Sequence, residues 1–118
     1  MPAAGDKGVW IAYLSGEIDF YDKQTKKIIS YNSRNIPGLT RRNRCCRDDK
    51  NGALYVGHIG NGMTIINLKE KTAKKYLHEP DDPQSIPGDN VRSIFIDHLK
   101  NIWVGTNGGL ALFIPFPM

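Results

Sequence analysis

The feature that most constrains this chain is a strand unit that returns at a fixed interval. Residues Asn43 to Gly57 lie over Val91 to Gly105 without a gap, which places Asp49 on Asp97 and Leu54-Tyr55-Val56-Gly57 on Ile102-Trp103-Val104-Gly105. A fainter third copy is Val9-Trp10-Ile11-Ala12. Each copy reads the same way: a polar, proline-broken loop, an apolar burst, a turn, and a second burst carrying an aromatic residue and ending at glycine.

The spacing is 45 residues from Trp10 to Tyr55 and 48 from Tyr55 to Trp103. That period suits one four-stranded propeller blade. A helical repeat of similar length would place apolar residues three and four apart; here they fall in short β-rich runs, at Val9 to Leu14, Ile18 to Tyr21, Ile28 to Tyr31, Leu54 to Val56, Met63 to Ile66, Val91 to Ile96, Ile102 to Val104 and Leu110 to Ile114. The 12 Gly and 7 Pro fit a turn-rich β protein. The chain therefore reads as all-β, a partial β-propeller of about two and a half blades, each a four-stranded antiparallel meander. Its one domain, 1–118, divides into repeats at approximately 1–40, 41–90 and 91–118.

The last repeat carries Ser85, Asn90, Val91, Ile94, Asp97, Trp103, Gly105, Thr106, Gly109 and Leu110, of which the aspartate, the aromatic and the strand glycine return upstream as Asp49, Tyr55 and Gly57. This pattern resembles the two-component regulator propeller repeat, found in periplasmic sensor regions of bacterial hybrid two-component systems. The resemblance spans nearly the whole chain and is strongest in the last repeat. It implies ligand recognition, often of carbohydrate fragments, coupled to a histidine kinase across the membrane. It also implies a periplasmic location, although no signal peptide precedes Val9 and no apolar run approaches a membrane span.

Closure is the difficulty. Propellers use about four to eight blades, and an open arc leaves its end faces apolar and its end strands unpaired. The expected partners are therefore the remaining blades of a longer ring, or other copies of this chain. The start, Met1 to Lys7, reads as a frayed turn with the strand before the Trp10 strand missing, and Ile114-Pro115-Phe116-Pro117-Met118 reads as a last blade cut short, because prolines cannot donate to a ladder.

The net charge is +4, with arginines crowded at 41, 42, 44 and 47 and lysines at 69, 71, 74 and 75. Lysines on outer strands discourage edge pairing. The denser arginines point to an anionic ligand such as an acidic polysaccharide; nucleic acid is not the expected partner. The segment Arg41 to Arg47 is predicted as an innermost strand, more polar than its copy at Val91 to Ile96. Together with the long loop Pro80 to Asn90 it supplies the candidate ligand residues Arg42, Arg44, Arg47, Asp82 and Asn90.

Other chemistry finds little support. Cys45 and Cys46 are adjacent in a strand, so they face opposite ways and read as free thiols, Cys46 buried. His58, His78 and His98 occupy three different places in the repeat, giving no metal site. Asp49 and Asp97 are copies set one blade apart, expected to cap their own turn amides rather than to flank one bond. Trp10, Tyr55 and Trp103 read as packing residues, and Gly57 and Gly105 as strand positions of the repeat. No catalytic residue, cofactor or metal is expected, and no membrane contact by this segment. The competing reading is a structural open-repeat fragment that self-associates and has no ligand of its own.

Overall fold

Alternation along each strand, and a tight turn at each strand end, fold the chain back on itself in short antiparallel steps. The computed structural model describes residues 2–4, 7–39 and 41–113. Among them are eleven strands and no helix: β1 (Pro2–Ala4), β2 (Gly8–Ala12), β3 (Ile18–Asp22), β4 (Ile28–Tyr31), β5 (Asn43–Asp48), β6 (Ala53–His58), β7 (Met63–Asn67), β8 (Thr72–Tyr76), β9 (Val91–Ile96), β10 (Ile102–Thr106) and β11 (Gly109–Phe113). They form three meanders in chain order, β1-β2-β3-β4, β5-β6-β7-β8 and β9-β10-β11.

The gapless repeat is visible in the turns. Asp49 Oδ1 accepts the backbone N–H of Asn51 and Ala53, and Asp97 Oδ1 accepts those of Leu99 and Asn101, so both carboxylates cap their own turns. The fourth residue of each turn is left-handed, Gly52 at φ 95° and Lys100 at φ 67°.

One expectation is corrected at the start of the chain. A strand does precede the Trp10 strand: β1 pairs antiparallel with β2, setting Pro2 opposite Ile11, Ala3 opposite Trp10 and Ala4 opposite Val9. Proline is tolerated as the first residue of an edge strand, and three small residues carry no β-rich run by which to recognise a strand. Two bounds also move. Arg42, left-handed at φ 66°, delays β5 to Asn43, and Lys71, at φ 56°, ends its turn early enough for Thr72 to open β8 opposite Asn67. The expected truncation at 114–118 lies outside the described residues.

The core sits between sheets rather than within any one of them. Trp10, Ala12 and Ile18 of the first sheet pack on Cys46, Leu54, Val56 and Ile66 of the second, with Ile36 and Leu39 of the connecting loop plugged in beside them. On the other face of the second sheet, Cys45, Tyr55 and Met63 meet Val91, Ile94, Ile102 and Val104 of the third, with Ile86 as the matching plug. The middle sheet is thus covered on both sides, which is why Leu54-Tyr55-Val56 is continuously apolar instead of alternating. Cys45 and Cys46 point into different cores, each 4% exposed, and neither is in a disulfide. Burial raises both thiol pKa values, that of Cys46 to about 11.

Candidate functional site

Because each sheet is a meander, its connections fall alternately at two rims. One rim holds the Asp49 and Asp97 turns. The other gathers the loops that enter the innermost strands β5 and β9, together with the hairpins between the second and third strands of each sheet. Backbone hydrogen bonds knit this second rim: across sheets, Arg42 N–H to Leu14 O at 2.8 Å and Gly62 N–H to Asp89 O at 2.7 Å, and within a sheet, Ile59 N–H to Arg42 O at 2.8 Å and Asn107 N–H to Asn90 O at 3.1 Å.

The candidate ligand residues divide over this framework. Arg42 and Asn90 occupy corresponding places on the rim, each immediately before an innermost strand. Arg42 is exposed. Asn90 is half-buried; its N–H is held by Asn107 Oδ1 at 3.2 Å, and its own Oδ1 is buried without a partner among the described residues. Asp82 lies apart in the exposed loop, where its Oδ1 accepts the N–H of Gln84 at 2.9 Å. Arg47 sits deeper, and its Nε–H donates to Ile94 O at 2.9 Å, tying β5 to β9. Arg44 is exposed near the start of β5.

The structure adds a residue that the candidate set lacks. Arg92 holds the same repeat position as Arg44, is likewise exposed, and is matched to Arg44 within the gapless alignment itself, which is the signal that could have found it. Both arginines sit at a break in strand register. Asn43 pairs with His58 and Cys45 with Gly57, leaving Arg44 as the extra residue; Val91 pairs with Thr106 and Ser93 with Gly105, leaving Arg92 as the extra residue. Such bulges re-aim a side chain.

The histidines are spread out. His58 is fully buried with Nε2 2.7 Å from Thr64 Oγ1, and burial, with Lys75 nearby, lowers its pKa to about 4. His78 sits in the long loop with Nδ1 2.8 Å from Ile86 O. His98 is exposed in the Asp97 turn. No group of three or more His, Cys, Asp or Glu suited to a metal ion occurs among the described residues.

At the opposite rim, two open clefts lie between neighbouring sheets. One, of about 310 Å³, is lined by Asp49, Tyr55, Ile96, Lys100 and Asn101 among others; the second, of about 280 Å³, by Lys7, Trp10, Phe20, Asp48 and Lys50 among others. Several polar groups at this rim are engaged structurally. Trp10 Nε1–H donates to Asp48 Oδ2 at 3.0 Å, and burial, then the Asp49 charge, pushes the Tyr55 phenol up to about 12. Trp103 Nε1–H donates to Asp97 Oδ2 at 3.0 Å, the bond that does most to hold the Asp97 carboxyl down at about 2.

The sequence profile described as two component regulator propeller matches residues 85–108. The chain is similar to the extracellular domain of a hybrid two-component system of B. thetaiotaomicron, with 34% identity over 94% of this chain and a TM-score of 0.80. A second extracellular domain of the same kind and organism gives 26% identity over 90% of this chain and a TM-score of 0.72. Histidine kinase P4 of Formosa agariphila is 23% identical over 111 residues, 89% of this chain. The chain spans 14% of each of those solved chains and 8% of the kinase.

Proposed function

Because residues 85–108 carry the two-component regulator propeller repeat, within a fold shared with extracellular domains of hybrid two-component systems, we propose that this chain is a ligand-recognising segment of such a sensor. The observation that carries this reading is the similarity over 94% of the chain at a TM-score of 0.80. The segment works outside the cytoplasm, in the periplasm. No helix of the described residues is long and apolar enough to cross a membrane, so coupling to a kinase rests on other parts of the sensor.

The role is recognition without turnover. The repeated carboxylates Asp49 and Asp97 are committed to their own turns. The ligand class is an oligosaccharide, met at the rim where Arg42 and Asn90 enter the innermost strands. Support comes from a polar, loop-built surface on a rigid β scaffold, the usual setting for binding residues.

Calorimetric titration of the full 118-residue chain against a panel of neutral and acidic oligosaccharides tests this. Saturable binding with no change in the sugar recovered afterwards is the expected result. Cleavage of the sugar, or no binding across the panel, contradicts the reading.

A second reading, self-association through an open sheet face, is favoured by one observation. Phe95, Trp103 and Leu112 stand in one cross-strand row, with Phe95 57% and Leu112 45% exposed, beside Leu110 at 70%. The remaining blades of a ring would cover the same face. Light scattering separates the readings, a discrete closed oligomer supporting self-association.

A further inference from the structure

We infer that Arg44 and Arg92 together form an oxyanion-binding pair on the innermost strands, and that the recognised saccharide carries carboxylate or sulfate groups. This rests on the ligand-recognition reading above and narrows its substrate class.

Three observations converge. The first is the repeated bulge: in both β5 and β9 the residue left out of the ladder is an arginine, at the same repeat position. A bulge residue is freed from strand alternation, so its side chain is not obliged to point into either inter-sheet core. Secondly, β5 and β9 are the edge strands of their sheets and lie near each other, as the Arg47 Nε to Ile94 O bond of 2.9 Å requires. Arg44 and Arg92 both precede that tie along their strands, so they fall on the same side of it, toward the rim.

The third observation concerns partners. Arg47 is engaged across the sheets, whereas Arg44 and Arg92 are exposed and neither is ion-paired among the described residues. Near them, at the strand starts, Asn43 Oδ1 and Asn90 Oδ1 are buried and lack a partner among the described residues, with Asn43 2% exposed. Such oxygens call for a donor, which a buried water supplies, so the strand starts are polar beneath the two arginines. Guanidinium forks match the geometry of carboxylate and sulfate oxygens, and the two arginines, one on each strand, suit an oligomer with charge on successive units.

The test uses the full 118-residue chain with three probes of equal length: tetragalacturonate, a sulfated galactotetraose and neutral galactotetraose. The variants are Arg44→Gln and Arg92→Gln, with Lys23→Gln, exposed in the turn between β3 and β4 at the opposite rim, as control. Circular dichroism reports that each variant is folded.

The expected result is binding of at least one charged probe, weakened about tenfold or more by either substitution, weakened by added salt, and unchanged in Lys23→Gln. Preference between the charged probes assigns carboxylate or sulfate. Charged-probe affinity unaltered in both variants overturns the pair. Binding of the neutral probe alone overturns it as well, while leaving saccharide recognition standing; binding of none of the three overturns both.

Discussion

Trp10 of the first sheet donates its indole N–H to Asp48 of the second at 3.0 Å, whereas Trp103, at the same place in the third sheet, donates to Asp97 of its own sheet at the same distance. The two tryptophans are equivalent in the repeat but differ in which blade satisfies them. Asp48 stands where the third sheet has Ile96, so a carboxylate at an otherwise apolar position is explained by the indole facing it. Asp48→Ala leaves that buried indole without its acceptor and is expected to cost about 1.5–3 kcal/mol, the range for a hydrogen bond to a charged group. In Trp10→Phe the same change is expected to cost much less. A double-mutant cycle read by urea unfolding checks the coupling.

The Asp97 turn predicts an acid-side loss of stability. Hydrogen bonds from the Trp103 indole and from turn amides lower its carboxyl to about 2, below the ordinary carboxylate value near 4. The unfolded chain therefore takes up this proton more readily than the folded one. The contribution is complete above pH 4 and is lost as pH falls from about 4 toward 2. Trp103→Phe removes the leading cause, and an NMR titration of the Asp97 carboxyl is expected to move upward in that variant.

His58 predicts a second, separate window. Its folded pKa of about 4 lies below the ordinary 6.5, because burial disfavours the charged ring. Between those values the unfolded chain binds the extra proton, so this contribution is present above pH 6.5 and declines as pH falls toward 4. His58→Gln is expected to flatten melting temperature against pH across that interval while leaving the Asp97 window in place.

Gly57 and Gly105 share a repeat position and differ in what confines them. A Cβ at Gly57 would fall 2.6 Å from Val91 Cγ1 and 2.8 Å from Cys45 Sγ, inside a filled core; at Gly105 it would meet only the Ser93 hydroxyl at 2.8 Å. Gly57→Ala is expected to cost about 1–3 kcal/mol by overpacking. Adding Val91→Ala should recover part of it. Gly105→Ala should be the milder change, since a serine rotamer can move aside. Chemical denaturation of the three variants decides the order.

These contrasts show what was legible from the residues alone. The strands, their turns and the blade period could be read because period-two alternation and turn chemistry are local. The capping role of Asp49 and Asp97 could be read for the same reason. The strand Pro2–Ala4 could not, since its pairing is conferred by β2 and not by any propensity of its own. Asp48 looked merely polar because its partner lies 38 residues earlier on another sheet. Arg47 entered the ligand set by charge alone, and only the fold shows its Nε–H spent on Ile94 O. Arg92 was missed despite matching Arg44, because the bulge that sets both apart is a property of strand register.

The account depends on sheets that bury their cores only against neighbouring sheets, with the second held between two others. Hydrogen exchange read by mass spectrometry measures this directly. The amides of Ala53–His58, covered on both faces, should exchange slowest, and those of the outer strands Ile28–Tyr31 and Gly109–Phe113 much faster. Equal protection across all three segments would contradict the stacked arrangement and the ligand rim built on it.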